Sequence, residues 1–479
     1  MLPKPKSCYG CPFFGDGVGF VPDRLNDQAE VLIVCQNPGA DEEAGRRITG
    51  YIGGSASYEP CEPQPLIGAT GWNLDHKFLP AAGLSRDQVS LANAFRCRLN
   101  HQNELPGLSM LAPRQALEHC YKAHFKLPEK TKVIVAQGAY SLYQLTQEGG
   151  ALDDDETGHS LSSWRGYALP FTPITDPRRS YSDIWLPSVN LGVIPVLATY
   201  HIALGFRDPT ATMIGLWDWR KIPKLLAGTW PSPLPFIKQG PPSVWPIEAA
   251  FDTEFNPHGR HFLMYSLYDG KTLRVSEQLD PGIVPEEQVK LIMQNAPADI
   301  PFANEMLGSN GYVYEDTMHA HAVLWSDLPH DLNFLGSMYS STNRWKHLDK
   351  SNPRVYSAGD AFGQWEVWQR LKRELQLDPL SIMVYVRQKA LIPIIMPAEE
   401  MGVGINPVRA KAAYLERQAR RDDQAYRAQA IAGWPINVRS NKQVGEYLFD
   451  QEELIRVLKR EKPKPGPSFK KPLTVREQV

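Results

Sequence analysis

The sequence predicts an α/β protein in three parts: an N-terminal α/β/α domain with a parallel sheet over 1–228, a mixed-sheet domain over 247–390, and a C-terminal helical piece over 391–479. Three observations carry this. Four short apolar runs, at 30–35, 89–93, 132–137 and 194–199, are separated by segments able to hold helices, such as 72–82 and 113–122. Alternation of β and α implies a parallel sheet with helices on its faces. The stretch WPSPLPFIKQGPPSVWP at 230–246 is dense in proline, which fixes φ and removes donors, so 229–246 is expected to be an extended linker that enters no core. From Met396 onward strand signals stop, and 408–430 carries Arg and Gln at most outward helical positions.

Composition narrows the function classes. The chain has 479 residues, about three domains at the usual ~150 each, and its 42% apolar and 22% charged residues exclude wholesale disorder and fibrous rods. Formal charge is −2, so contact with nucleic acid must come from local basic patches. Six cysteines are too few for a disulfide scaffold in a chain this long. No run approaches the roughly 18 uninterrupted apolar residues of a spanning helix, and residues 1–10 lack a secretory h-region. The expectation is a soluble cytoplasmic protein with no membrane partner.

In parallel sheets ligands sit at the carboxyl ends of the strands. Polar residues gather there: Gln36, Asn37 and Asp41 after the first run, Asn93 ending the second, His201 just past the fourth. The segment 149–188, rich in Asp, Ser and Gly, is expected to be loop. Cys8 and Cys11 form a CxxC, with Cys97 and Cys120 far downstream; four thiolates so arranged can bind zinc or an iron-sulfur cluster, and spacing does not choose between them. Cys35, inside the first strand, suits a small buried hydrophobe, and Cys61 has no assigned part.

The segments EVLIVCQNPGADEE, PLIGATGWNLDHKFLPAAGL, NAFRCRLN, LEHC and ATYHIALGF, in that order over about 7–225, resemble the family 4 uracil-DNA glycosylases. The resemblance implies a 4Fe-4S cluster on Cys8, Cys11, Cys97 and Cys120. It also implies a pocket for a flipped base, with Gln36, Asn93 and Leu66 at the base. Asn93 would read the uracil edge, His201 would stabilise charge on the departing base, and Asn37 would position the attacking water. The sequence departs from the family at three places: Gln36 stands where Glu is usual, giving a QNPG like that of mismatch-specific relatives; Leu66 replaces a stacking Phe; and Ile202 follows His201 where Pro is usual. Either the pocket takes a different base, or it binds DNA without cutting.

In the second domain, 249–255 and 261–268 read as adjacent strands joined by Asn256, Pro257, His258 and Gly259. Asp252 and Glu254, at i and i+2, share one strand face and invite a divalent cation. Asp299 (in NAPAD) and Asp360 (in YSAGD) add acids, and Tyr356 and Asp360 at i and i+4 share a helix face. Asp316, in EDTM, is left outside this set. The order DxE, NxxxD, YxxxD resembles the DEDDy-type 3′–5′ proofreading exonuclease of family A DNA polymerases. That likeness implies a ribonuclease H-like fold, with two Mg2+ or Mn2+ ions on Asp252, Glu254, Asp299 and Asp360, and Tyr356 orienting the water.

The helical piece strengthens the likeness: PAEEMGVGIN and NVRSNKQ resemble the passage from exonuclease to thumb, where Arg409, Lys411, Arg417, Arg420, Arg421, Arg439 and Lys442 would meet phosphates. The basic tail at 456–476, with Lys462, Lys464, Lys470 and Lys471, is expected to be flexible. No palm or fingers motif is present. The implied activity is DNA replication or repair through 3′–5′ exonuclease and base excision, on single-stranded or primer-template DNA, beside a separate polymerase subunit, in a bacterial or phage-infected cell. The alternative is a replication subunit whose first domain only senses DNA.

Overall fold

The computed structural model describes residues 2–52, 54–99, 111–148, 160–176, 193–256, 261–280, 283 and 286–450. The tail lysines and the turn residues Pro257, His258 and Gly259 lie outside them. The chain forms two compact units, Met1–Ile394 and Ile395–Val479.

The first unit holds two main sheets. In the five-stranded one the order is Val89–Asn93, Val31–Cys35, Val133–Gln137, Pro195–Thr199, Ala168–Pro170; the first four strands are parallel and the last runs antiparallel. Every residue of Val31–Cys35 is buried, as expected of a parallel strand covered on both faces. Period-two geometry divides it: Val31, Ile33 and Cys35 pack with Leu74, Phe78 and Trp219, and Leu32 and Val34 pack with Leu142, Leu145 and Trp164. Strands in register end together, so Cys35, Asn93, Gln137 and Thr199 bring their loops to one edge.

The six-stranded sheet is mixed, in the order Ile237–Gln239, Leu273–Ser276, His261–Tyr268, Glu248–Asn256, Val289–Met293, Tyr312–Asp316. The helix Pro353–Leu377 lays Ala358, Ala361, Phe362, Val367 and Trp368 into the core on that sheet. Here the structure corrects the linker expectation: within 230–246, Ile237–Gln239 is a parallel edge strand, and Trp230 and Trp245 are buried. Proline-rich chain lacks donors but stays extended, so it can serve at a sheet edge, while its tryptophans supply apolar area. Similarly, between undescribed parts of 149–188, Leu161–Trp164 is helical and Ala168–Pro170 is a strand.

The two sheets are joined by buried polar contacts. Arg165 pairs with Asp218 at 2.7 Å and donates to Ser337 Oγ, and Lys221 donates to the carbonyls of Gly166 and Ser337. Tyr167 Oη donates to Asn333 O at 2.7 Å, Trp217 Nε1 donates to Met338 O at 2.5 Å, and the Asn343 amide bonds both backbone groups of Ala168. The helix Pro379–Met401 starts earlier than the expected helical boundary, because Pro379 fits a first helical turn. Among the described helices it alone is long and apolar enough to cross a membrane; Arg387, Gln388 and Lys389 interrupt its run, and Lys389 Nζ sits 2.8 Å from Glu315.

In the second unit the helix Pro407–Ala432 is capped by Asn406, whose side chain accepts from Val408 N and Arg409 N, and it ends at Gly433 with φ +77°. It buries no residue, and its surface carries the i, i+4 pairs Glu416–Arg420 and Asp423–Arg427. Arg409, Lys411, Arg417, Arg420 and Arg421 lie on it; the Lys442 side chain lies outside the described residues.

Candidate functional site

Among the described residues, chemistry gathers at a carboxylate cluster, at the carboxyl edge of the parallel sheet and at four thiols. The strand Glu248–Asn256 presents Asp252 and Glu254 on one face, and the helix Pro353–Leu377 presents Tyr356, Asp360 and Gln364 at four-residue spacing toward it. Ligand oxygens of Asp252, Glu254 and Asp360 all lie within 4.8 Å of one another. Asp299, the acid at the start of the helix Ile300–Leu307, is held apart from this trio. Its Oδ1 accepts from Thr253 N at 2.9 Å and Thr253 Oγ1 at 2.6 Å, so it grips the strand between the two acids. Asp316 stands elsewhere: it caps the helix Thr317–Leu324 and accepts from the backbone N–H of Ala296.

Charges this close penalise one another. Burial first, then Asp360, Asp299 and Glu254, push Asp252 well above the ordinary carboxylate range. Burial and then Asp360 push Glu254 up to about 7. Burial lifts Asp299 to about 8, against the pull of its Thr253 hydrogen bonds. Lys346 sets a fixed cation against the cluster, its Nζ 2.6 Å from the Asp360 carboxylate and 3.1 Å from Tyr356 Oη. Burial would lower its pKa, but the charges of Asp360, Tyr356 and Asp252 more than offset this and raise it. Trp345 Nε1 donates to Asp360 Oδ1 at 2.5 Å, and Gln364 Nε2 to Asp252 Oδ1 at 2.7 Å. Glu254 Oε1 is buried and accepts no hydrogen bond. A carboxylate oxygen left without a donor inside an acidic cluster is what a cation would satisfy, so these residues fit a divalent ion.

The second place is the carboxyl edge of the parallel sheet. Asn93 is buried with Nδ2 unpartnered, and so is Gln137, whose Nε2 has no acceptor. Gln36 and His201 approach each other across Gly138: a Cβ built there would meet His201 Cβ at 3.6 Å and Gln36 Oε1 at 3.7 Å. His201 Nδ1 accepts from Ala203 N at 3.1 Å, which leaves the ring proton on Nε2. Burial lowers its pKa to about 4, so the ring is a neutral N–H donor near pH 7. Leu66 is buried at φ +58°, a left-handed backbone rare for leucine. It is clamped there by its N–H to Glu42 Oε1 at 2.6 Å and by Arg86 Nη2 to its carbonyl at 2.5 Å. Strain held this firmly is characteristic of ligand sites. Asn37 turns its amide to the neighbouring Pro38 carbonyl, 3.1 Å away.

Beside this domain's sheet the four thiols converge. Burial and the neighbouring thiolates raise Cys8 to about 11 and Cys97 to about 12, and burial raises Cys11 and Cys120. Cys97 packs so closely on Gly17 that a Cβ there would sit 2.6 Å from its Sγ. Cys8 Sγ lies 3.3 Å from His124 Nε2.

The chain is similar to type-4 uracil-DNA glycosylases. That of Sulfurisphaera tokodaii is 25% identical over 224 residues, covering 46% of this chain and 80% of that protein. That of Archaeoglobus fulgidus is 28% identical over 92 residues, covering 19% of this chain and 37% of that protein. Among solved structures, Brucella melitensis NrnC with bound Mg2+ aligns with 35% of this chain and 94% of its own, at 16% identity and TM-score 0.29. The catalytic core of RRP6 from Trypanosoma brucei aligns with 30% and 45%, at 18% identity and TM-score 0.24. No family model matches the chain.

Sequence reasoning missed Trp345, Lys346, Gln364 and Gln137. Gln364 had a signal, since it continues the i, i+4 row of Tyr356 and Asp360. Gln137 ends a strand at the expected ligand edge. Trp345 and Lys346 had none, because the loop before a helix is placed by tertiary packing.

Proposed function

We propose that the chain processes DNA at two sites: metal-dependent 3′–5′ hydrolysis at the carboxylate cluster, and excision of uracil or another altered base at the sheet edge. The observation that carries the first is the convergence of Asp252, Glu254 and Asp360 within 4.8 Å, with Glu254 Oε1 buried and unpartnered. A divalent ion bound there supplies Lewis acidity at the phosphate. The chain's own groups do the rest. Asp252, Glu254 and Asp360 would hold the ion, with Asp299 stiffening the strand through Thr253. Burial raises Tyr356 to about 12, so it keeps its proton and can orient a water by hydrogen bonding. Single-stranded or primer-template DNA fits a site that opens a 3′ end, with a separate polymerase as partner and the cytoplasm as location. The test is loss of a labelled 3′ end in magnesium: the parent degrades it and Asp252→Ala does not. An inactive parent refutes the reading.

The second site has its own support, an orphaned Asn93 amide and a neutral His201 donor at the same carboxyl edge of the parallel sheet. Asn93, Gln36 and Leu66 would hold the base. As the glycosidic bond breaks, its electron pair passes to the base, and His201 Nε2–H can donate to that charge. Asn37 would need to release Pro38 to reach a water. Alkali-labile breaks in uracil-containing single strands separate excision from mere sensing. A 4Fe-4S cluster on the four thiols would show as a visible absorption band with iron content, and Cys120→Ser would abolish both, whereas a colourless, zinc-loaded protein would refute the cluster.

A further inference from the structure

We propose that Lys346 takes one of the two cation positions of the carboxylate cluster, so that the centre accepts a single divalent ion. This rests on the metal-centre reading above and changes its stoichiometry. Both oxygens of Asp360 are already served: Trp345 Nε1 donates to Oδ1 at 2.5 Å, and Lys346 Nζ lies 2.6 Å from the same carboxylate while also donating to Tyr356 Oη at 3.1 Å. An ammonium between the acid and the tyrosine stands where a second ion on Asp360 would have to sit.

Lys346 cannot easily swing away. Its neighbour Trp345 fills a slot floored by Gly336, Gly359 and Gly363, where a Cβ at any of the three would come within 2.5–2.7 Å of the indole. That packing pins the backbone at 345–346, and only 20% of the Lys346 side chain is exposed. The opposite pole of the cluster is different. Glu254 Oε1 is buried without a donor, and Asp252 has one oxygen engaged by Gln364, so these two acids, with the remaining lone pairs of Asp360, face one ion. Asp299 Oδ1 is committed to Thr253 and does not enlarge the trio. A second divalent ion would face a fixed positive charge at hydrogen-bond distance from its own ligand, and like charges at such separations repel strongly in a partly buried site.

The test counts ions on the full-length chain, stripped of metal and titrated with Mn2+, by equilibrium dialysis and electron paramagnetic resonance. The ions lost in Asp252→Asn define those of the centre. The parent is expected to hold one, with the spectrum of an isolated ion. Lys346→Met is expected to hold two, with the exchange-coupled spectrum of a pair. Two ions in the parent overturn the proposal, whether or not the methionine variant folds; so does one ion in a folded Lys346→Met protein. If the parent degrades DNA 3′ ends in magnesium but binds two ions, only the lysine proposal fails. If it binds none and degrades nothing, the nuclease reading fails with it.

Discussion

Glu254 offers the most direct measurement of what the acidic cluster costs the fold. Its carboxyl is lifted from an ordinary 4.5 to about 7 by burial and then by Asp360. At ~1.4 kcal/mol per pKa unit, the ionised group weakens the metal-free protein by about 3 kcal/mol. The sign follows from linkage. Between the unfolded and folded pKa values the folded chain binds more protons, so its stability falls as pH rises from about 4.5 to about 7 and is flat above. Glu254→Gln removes the ionisation and supplies an N–H that can donate to its acidic neighbours. In urea unfolding without metal, the variant should exceed the parent by about 3 kcal/mol at pH 8 and by under ~1 kcal/mol at pH 5. Saturating Mg2+ should reverse the order, because only the parent binds the ion well and ligand binding stabilises the folded state. A variant no more stable than the parent at pH 8, or a gap that ignores pH, refutes the reasoning.

Three further outcomes follow from particular contacts. Gly359→Ala puts a Cβ 2.5 Å from the Trp345 ring, and overpacking should cost ~1–3 kcal/mol in metal-free urea unfolding; an unchanged midpoint would contradict the tight slot. His201, held near 4 by burial, stays neutral through the physiological range, so base excision should show no His201 inflection between pH 5 and 8; a single-turnover profile breaking near ~6.5 contradicts that. Asp218→Ala leaves Arg165 buried without its partner, so unfolding should come ~3–5 kcal/mol earlier for both sheets of the first unit together. Separate transitions, followed by tryptophans in each half, would show that the interface does not weld them.

That weld bears on how the sites work. The run 333–347 supplies Asn333, Ser337, Met338 and Asn343 to the first domain and, a few residues later, Trp345 and Lys346 to Asp360. One short piece of chain therefore fixes the interface and sets the cation at the carboxylates. The prolines at 230–246 do not isolate the domains; the bridge of Ser232 to Thr342 ties that segment to the same run.

What the sequence revealed follows its periodicity. Strands at 31–35, 89–93, 133–137 and 195–199 were legible because unbroken apolar runs between helical segments have few other solutions, and the ends of those runs pointed to Gln36, Asn93 and His201. Asp252 with Glu254, and Tyr356 with Asp360, were legible because period two and the four-residue helical step put each pair on one face. Asp299 was legible as an acid but not in its attachment to Thr253, since the residue between two acids on a strand points away from them and its partner is chosen across the sheet. Lys346 lies further from reach. Nothing in WKHLDK marks a lysine that will enter an acidic cluster, because its position depends on three glycines, at 336, 359 and 363, that leave room for the preceding tryptophan. The signal for it is an absence of side chains elsewhere in the chain, and only a folded structure shows which absences face one another.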